Sequence, residues 1–284
     1  MEELIEEAKT LGLNPDNYVR ECFQKIILYS ISRLGIESYY VFQGGTALRL
    51  FYGSPRHSLD MDYTLVMRSL EESKRDSRAI LSVVSRVMTP YEVSVSLTRE
   101  KMLTGEGFYR YFLVFDMLKW LKRKIKIKLE IVRRSYQDIR FSRKILNIRF
   151  PMSTSIGVVV KSPSQLLADK VASLAGGYHR GYIRWRDIFD IYWLSTRSKA
   201  EIDVAYLLQE FGSFIEKPED IASLAKEIRE LLSRGDFTEI RTELERLLHR
   251  TLLEDELVRE YLKTAVSILE NAYAVIRDEV GGVG

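Results

Sequence analysis

Asp60 and Asp62 stand two residues apart in a run, Leu59 to Met67, whose apolar residues alternate. Alternation reads as a β-strand, and on a strand residues i and i+2 share a face. Two carboxylates held side by side repel unless a cation lies between them. Mg²⁺ suits such a pair, because it takes few hard oxygen ligands from protein and completes its octahedron with phosphates and water. Upstream, Gly44-Gly45-Thr46 follows a short β-type run, Tyr39 to Phe42, and opens a helical pattern from Thr46 to Tyr52. A helix start there offers unpaired backbone N–H groups at the positive end of the helix, which favours a phosphate. Each motif alone has a plainer explanation: a tight strand-to-helix turn, and two aspartates on a solvated strand.

Three later segments add candidates. In Ile125-Lys126-Ile127-Lys128-Leu129-Glu130-Ile131, the apolar residues point one way and Lys126, Lys128 and Glu130 the other. If this strand lies beside the aspartate strand, Glu130 becomes a third carboxylate, able to take a proton from an attacking hydroxyl or to bind metal. Otherwise it forms a surface ion pair of little energetic consequence. Lys170 falls on the apolar stripe of Leu167, Val171 and Leu174, so it either snorkels to the rim or reaches an anionic partner. Asp187 and Asp190 share a helical face with Ile183 and Leu194 and need cationic partners, for which Lys170 and Arg180 are available. A buried structural ion pair and a ligand contact explain them equally well.

Around these residues the chain changes character once. Helical patterns cover residues 1–35. Helix 70–88 and strands at 91–98, 108–115, 124–132 and 156–161 then predict an α+β region with a mixed sheet. Beyond Lys161 the pattern is helical: Ser162 is a cap, Pro163 fits the first turn and Gln165 completes a capping box. Helices are expected at about 163–176, 184–195, 203–214, 218–233, 236–249 and 253–278. The expected organisation is residues 1–160 as a mixed sheet flanked by helices, and residues 161–284 as a helical domain that contributes Lys170 and Asp187 to the site.

The 284 residues carry a net charge of only +3, unevenly spread. Between Lys119 and Arg149 there are 12 Lys and Arg against two acids, Glu130 and Asp138, a local net of +10. Such a block is either a solvated face or a footprint for phosphates or RNA. Tyrosines such as Tyr109, Tyr111, Tyr136, Tyr178 and Tyr182 could stack bases, although most tyrosines simply span core and surface. His57, in the turn before the aspartates, could touch substrate. The single cysteine, Cys22, excludes an internal disulfide and a cysteine-based zinc cluster. No apolar run reaches the ~18 residues of a membrane helix, and the acidic N-terminus lacks a secretory pattern. These features predict a cytoplasmic protein with no membrane partner.

Taken together, Phe42-Gln43-Gly44-Gly45-Thr46-Ala47-Leu48-Arg49-Leu50 and Ser54-Pro55-Arg56-His57-Ser58-Leu59-Asp60-Met61-Asp62 closely resemble the first motif of the AbiEii-type abortive-infection toxins, within the DNA polymerase beta-like nucleotidyltransferase superfamily. Lys128-Leu129-Glu130-Ile131 is similar to the strand bearing the family's third carboxylate. Leu166-Leu167-Ala168-Asp169-Lys170 and Arg186-Asp187-Ile188-Phe189-Asp190 resemble its lysine helix and its Arg-Asp-x-x-Asp helix. The resemblance spans about residues 38–195. One departure is Leu59, where an acidic residue often precedes the first aspartate; no ligand is lost.

The resemblance implies transfer of a nucleoside monophosphate from an NTP. Asp60 and Asp62, with Glu130, would hold two Mg²⁺ ions. Gly44, Gly45, Thr46, Arg56, Ser58 and Lys170 would contact the nucleotide. Asp187 would position Lys170 or the nucleotide. It also implies a tRNA 3′ end as acceptor and a cognate antitoxin. Lys122, Arg123, Lys124, Lys126, Lys128, Arg133 and Arg134 are the candidate RNA contacts. Two rivals stay open. One is transfer to a protein or to a small molecule such as an aminoglycoside. The other is a non-catalytic nucleotide- or RNA-binding member of the fold.

Overall fold

The computed structural model describes residues 1–135, 138–209 and 217–281. Tyr136 and the end of the helix expected at 203–214 lie outside the described residues. The chain divides into two compact units, Met1–Gly53 with His57–Lys161, and Ser54–Arg56 with Ser162–Gly284.

The first unit is an α+β layer. Its helices are α1 (Glu2–Thr10), α2 (Pro15–Arg33), α3 (Gly44–Phe51), α4 (Leu70–Met88) and the single turn α5 (Leu118–Leu121). Its strands are β1 (Tyr40–Gln43), β2 (Met61–Leu65), β3 (Val95–Leu103), β4 (Phe108–Met117), β5 (Arg123–Arg133), β6 (Phe141–Ile148) and β7 (Thr154–Lys161). Asn14 caps α2 by accepting from the amides of Asp16 and Asn17, and Ser69 with Glu72 forms a capping box on α4. The seven strands run in the order β3-β4-β5-β2-β1-β7-β6. β2 pairs parallel with β5 and β1 parallel with β7, while the remaining neighbours are antiparallel. The sheet is therefore mixed, as the pattern of elements predicts.

Alternation decides which face of the sheet is dry. On β4, Tyr109, Tyr111, Leu113, Phe115 and Met117 are buried while the residues between them are half-exposed. On β5 the buried set is Ile125, Ile127, Leu129 and Ile131. These residues join α2 and α4 in one core, where Phe23 stacks on Phe115 with ring centroids 4.2 Å apart. Burying each such side chain contributes roughly 1.5–3 kcal/mol. The other face carries the polar set, including Lys126, Lys128 and Glu130.

Two strands depart from the sequence expectation. β3 begins at Val95 rather than residue 91, because Thr89–Tyr91 forms a 3₁₀ turn around Pro90 and Glu92 adopts a left-handed conformation, φ 55°. β6 was not expected at all: its run Phe141–Ile148 mixes Arg143, Lys144 and Asn147 with its apolar residues, as an edge strand does.

The second unit is helical: α6 (Pro163–His179), α7 (Trp185–Thr196), α8 (Val204–Gln209), α9 (Glu219–Arg234), α10 (Thr238–Leu244) and α11 (Asp255–Gly281). Ser162 caps α6 by accepting from the Gln165 amide, and Pro163 opens the first turn. The helix expected at 236–249 ends at Leu244, and a 3₁₀ turn follows at Arg250–Leu253. Phe189 meets Tyr261 edge-on, 5.2 Å between centroids, tying α7 to α11. No helix among the described residues is long and apolar enough to cross a membrane.

Candidate active site

The parallel pairing of β2 with β5 places Asp62 directly opposite Glu130. The condition on which Glu130 becomes a third carboxylate is met. Asp60 precedes β2 by one residue and faces the same side. Lys128 shows this, because its Nζ lies 3.1 Å from Asp60 Oδ2 and 2.9 Å from Glu130 Oε2. On the far side of Glu130, Arg110 Nη1 of β4 is 3.6 Å from Oε1. Burial alone would lower the Lys128 pKa, but Asp60 and Glu130 overcome it and hold the ammonium above its ordinary value.

The loop ahead of Asp60 is pinned from beneath. Thr46 is 1% exposed, and its hydroxyl donates to the backbone carbonyl of Asp60. Gln24 Nε2 on α2 donates 3.0 Å to the carbonyl of Ser58 and lies 3.4 Å from Thr46 Oγ1. The Thr46 side chain is thus engaged in positioning the aspartate segment. Gln24 joins it, a residue that sequence reading did not single out. A glutamine inside an apolar helix stripe is the signal that could have found it.

Gly44 makes room for Asp62. It sits at φ +75°, and a Cβ built on it would overlap the Asp62 carboxylate. Glycine is the residue that accepts both conditions. The close approach that a glycine permits is made here by the protein's own Asp62 carboxylate. Gly45 is buried in the first turn of α3. Gln43, the N-cap of α3, makes no side-chain cap. Its Oε1 instead accepts from Thr64, at 2.7 Å, and from the buried Lys161, at 2.9 Å. Lys161 is a second residue missed from sequence. His57 lies 3.6 Å from Glu21.

In the second unit, five charged groups form one network, buried except at the half-exposed Arg184. Lys170 Nζ is 2.8 Å from Asp187 Oδ1 and 2.8 Å from Asp190 Oδ2. Arg56 grips Asp190 with two parallel hydrogen bonds, Nε to Oδ1 at 2.8 Å and Nη2 to Oδ2 at 2.7 Å. Arg184 Nε lies 2.8 Å from Asp187 Oδ2, which also accepts from Ser173 at 3.0 Å. Three cations and two carboxylates leave these five groups at +1. Burial would raise the Asp187 pKa; Lys170 and Arg184 overcome that and hold it at about 2. Lys170 is the partner that the sequence offered for the two aspartates, and Arg56, on Asp190, and Arg184, on Asp187, stand where Arg180 was the alternative.

The basic residues of β5 divide. Lys124, Lys126 and Lys128 share the polar face with Glu130. Lys124 lies 3.5 Å from Asp116, whereas Lys126 is exposed and has no carboxylate partner among the described residues. Arg123 points the other way, to Asp16 at 2.7 Å. Lys122, in a left-handed turn at φ 58°, and Arg133 are exposed at the two ends of the strand.

Among the described residues, no three His, Cys, Asp or Glu side chains are arranged to hold a metal unaided. The donor set nevertheless fits a hard divalent cation. Asp60 and Glu130 already converge on one positive charge, and an ion of this kind is completed by substrate oxygens and water.

A mixed sheet with paired carboxylates beside a glycine-opened helix defines a nucleotidyltransferase-type domain followed by helices. The chain belongs to the AbiEii family, nucleotidyl transferase toxins of type IV toxin–antitoxin systems, whose profile matches residues 26–265. The fold is shared with JHP933 from Helicobacter pylori, at TM-score 0.57 and 15% identity, over 95% of this chain and 99% of that one. A candidate nucleotidyltransferase from H. pylori superposes with TM-score 0.55 at 15% identity, over 93% and 99% of the two chains. No protein of curated function matches the sequence.

Proposed function

We propose that this protein transfers a nucleoside monophosphate from an NTP to the 3′ end of tRNA, as the toxin of a toxin–antitoxin pair. The observation that carries the reading is the Asp60–Asp62–Glu130 group on the parallel β2–β5 pair, beside the uncapped first turn of α3.

The acceptor 3′ oxygen attacks the α-phosphorus of the NTP, the bond to the bridging oxygen breaks, and pyrophosphate leaves. Glu130 takes the hydroxyl proton or shares in metal binding. Asp60 and Asp62 would hold two Mg²⁺ ions, which when bound stabilise negative charge on the entering and leaving oxygens. The backbone N–H groups at Gly44, Gly45 and Thr46 receive phosphate oxygens. Thr46 and Ser58 serve through the backbone segment that they anchor. Lys170 and Asp187, with Arg56 behind Asp190, act on the nucleotide as the family motif implies. The basic run along β5 supplies RNA phosphate contacts, and an antitoxin completes the pair.

Incubation with total tRNA and each NTP in turn, followed by intact-mass measurement, tests this. The expected product is tRNA heavier by one nucleotide residue, and its formation is blocked when periodate has destroyed the 3′-terminal diol. A product unaffected by periodate, or modification of protein or a small molecule instead, overturns the assignment of the acceptor.

A further inference from the structure

The polar face of the sheet does not end at the carboxylates. It runs on across β5, β4 and β3 to the sheet edge, and its residues follow from the register. Opposite Lys128 stands Phe112, and opposite Phe112 stands Thr98. Opposite Glu130 stands Arg110, and then Lys101. Opposite Lys126 stands Val114, and then Ser96. Ser96, Thr98, Lys101 and Lys126 are exposed, while Phe112 and Arg110 are half-exposed.

A phenyl ring left half-open amid these cations is explained by neither the core nor the carboxylate group. Its rim carries positive charge: Lys101, Arg110, Lys126 and Lys128. The negative charge on this face is Glu130, engaged by Lys128 and Arg110, Asp60, also engaged by Lys128, Asp62 opposite Glu130, and Asp116, which lies beside Lys124. An aromatic platform bordered by cations suits a single-stranded nucleic acid, whose bases stack and whose phosphates pair with the basic side chains.

Position makes the fit specific. Phe112 is the diagonal neighbour of Glu130 across β4 and β5, a separation of roughly 7–8 Å. A base lying on Phe112 brings its own ribose hydroxyls to the carboxylates. We propose that the β3–β4–β5 face seats the single-stranded 3′ end of the acceptor RNA. The terminal base stacks on Phe112, and Lys126 and Arg110 hold backbone phosphates. This inference rests on the nucleotidyltransferase reading for the direction of the strand, but not for the binding itself.

Fluorescence anisotropy with a short labelled single-stranded oligoribonucleotide, without NTP, tests the platform separately from catalysis. Phe112→Ala should weaken binding on the order of tenfold, with NTP affinity unchanged. Phe112→Tyr, which keeps the stacking surface, should bind as the unsubstituted protein does. Lys126→Gln should flatten the dependence of log K on log salt by roughly 0.7. Absence of oligonucleotide binding, Phe112→Ala binding RNA normally, or a loss of NTP affinity in its place overturns the platform. Binding that behaves as expected without any nucleotidyl transfer keeps the platform and removes the enzymatic reading.

Discussion

The Lys128 ammonium lies 3.1 Å from the Asp60 carboxylate, with Glu130 on its other side at 2.9 Å. Lys128 thus sets a positive charge where the Asp60 and Glu130 carboxylates converge. Its charge competes with any divalent cation that enters.

Replacing that ammonium should therefore free the carboxylates. Lys128→Met is expected to bind Mn²⁺ more tightly, by about tenfold, equivalent to 1.4 kcal/mol, as read by the paramagnetic resonance of free Mn²⁺. Weaker binding in the variant would make Lys128 a supporting element of the metal site and not a competitor.

Gly44 offers a separate test, because its φ of +75° and the overlap of any Cβ with Asp62 act together. Gly44→Ala should cost about 1–2 kcal/mol for the left-handed backbone alone, with more from displacing the Asp62 carboxylate. Urea unfolding measures the loss of stability. Mn²⁺ affinity should fall in the same variant. Retention of both stability and metal affinity would contradict the packing of Asp62 on Gly44.

Much of this arrangement is legible in the chain. The Gly-Gly-Thr, the Asp-x-Asp and the alternation of the Glu130 strand carry the residue types, and the strand periodicity sets their faces. What a single strand cannot reveal is its neighbour. That β2 lies beside β5, and not beside another strand, depends on crossovers that no local pattern encodes. Gln24 and Lys161 escape for a related reason, as does the hydrogen bond by which Thr46, itself read from the sequence, pins the aspartate segment. Their roles are hydrogen bonds to groups 14 to 118 residues away in sequence. β6 escapes because edge strands dilute their apolar alternation with charge.

The buried network of the second unit makes a prediction about stability. Lys170→Met leaves Asp187 and Asp190 without their shared cation and should destabilise the protein by about 3–5 kcal/mol. Lys170→Met combined with Asp187→Leu removes both members of the Lys170–Asp187 pair and should recover much of that loss in urea unfolding. NTP affinity should not recover with it if Lys170 acts on the nucleotide. Recovery of both would reduce the lysine to a structural element.

The same network fixes the sign of an acid response. The folded Asp187 pKa is about 2, below the ordinary value of 3.8. The unfolded chain therefore takes up the proton first as pH falls. The stabilisation from Asp187 is complete above pH 4 and disappears on descending towards pH 2. It amounts to about 2 kcal/mol. Urea midpoints across that range should fall in the unsubstituted protein and fall less in Asp187→Asn, whose amide does not titrate. Parallel curves for the two proteins would contradict the depressed pKa.

Nucleotidyl transfer through the β2–β5 carboxylates is tested most directly by following the two ends of the triphosphate. Purified protein is incubated with Mg²⁺, tRNA and NTP labelled with ³²P at either the α or the γ position, beside Asp62→Asn. Label should enter tRNA from the α position alone, with γ label recovered in pyrophosphate, and neither should occur with Asp62→Asn. Label entering the acceptor from the γ position, or undiminished transfer by Asp62→Asn, would contradict nucleotidyl transfer through these carboxylates.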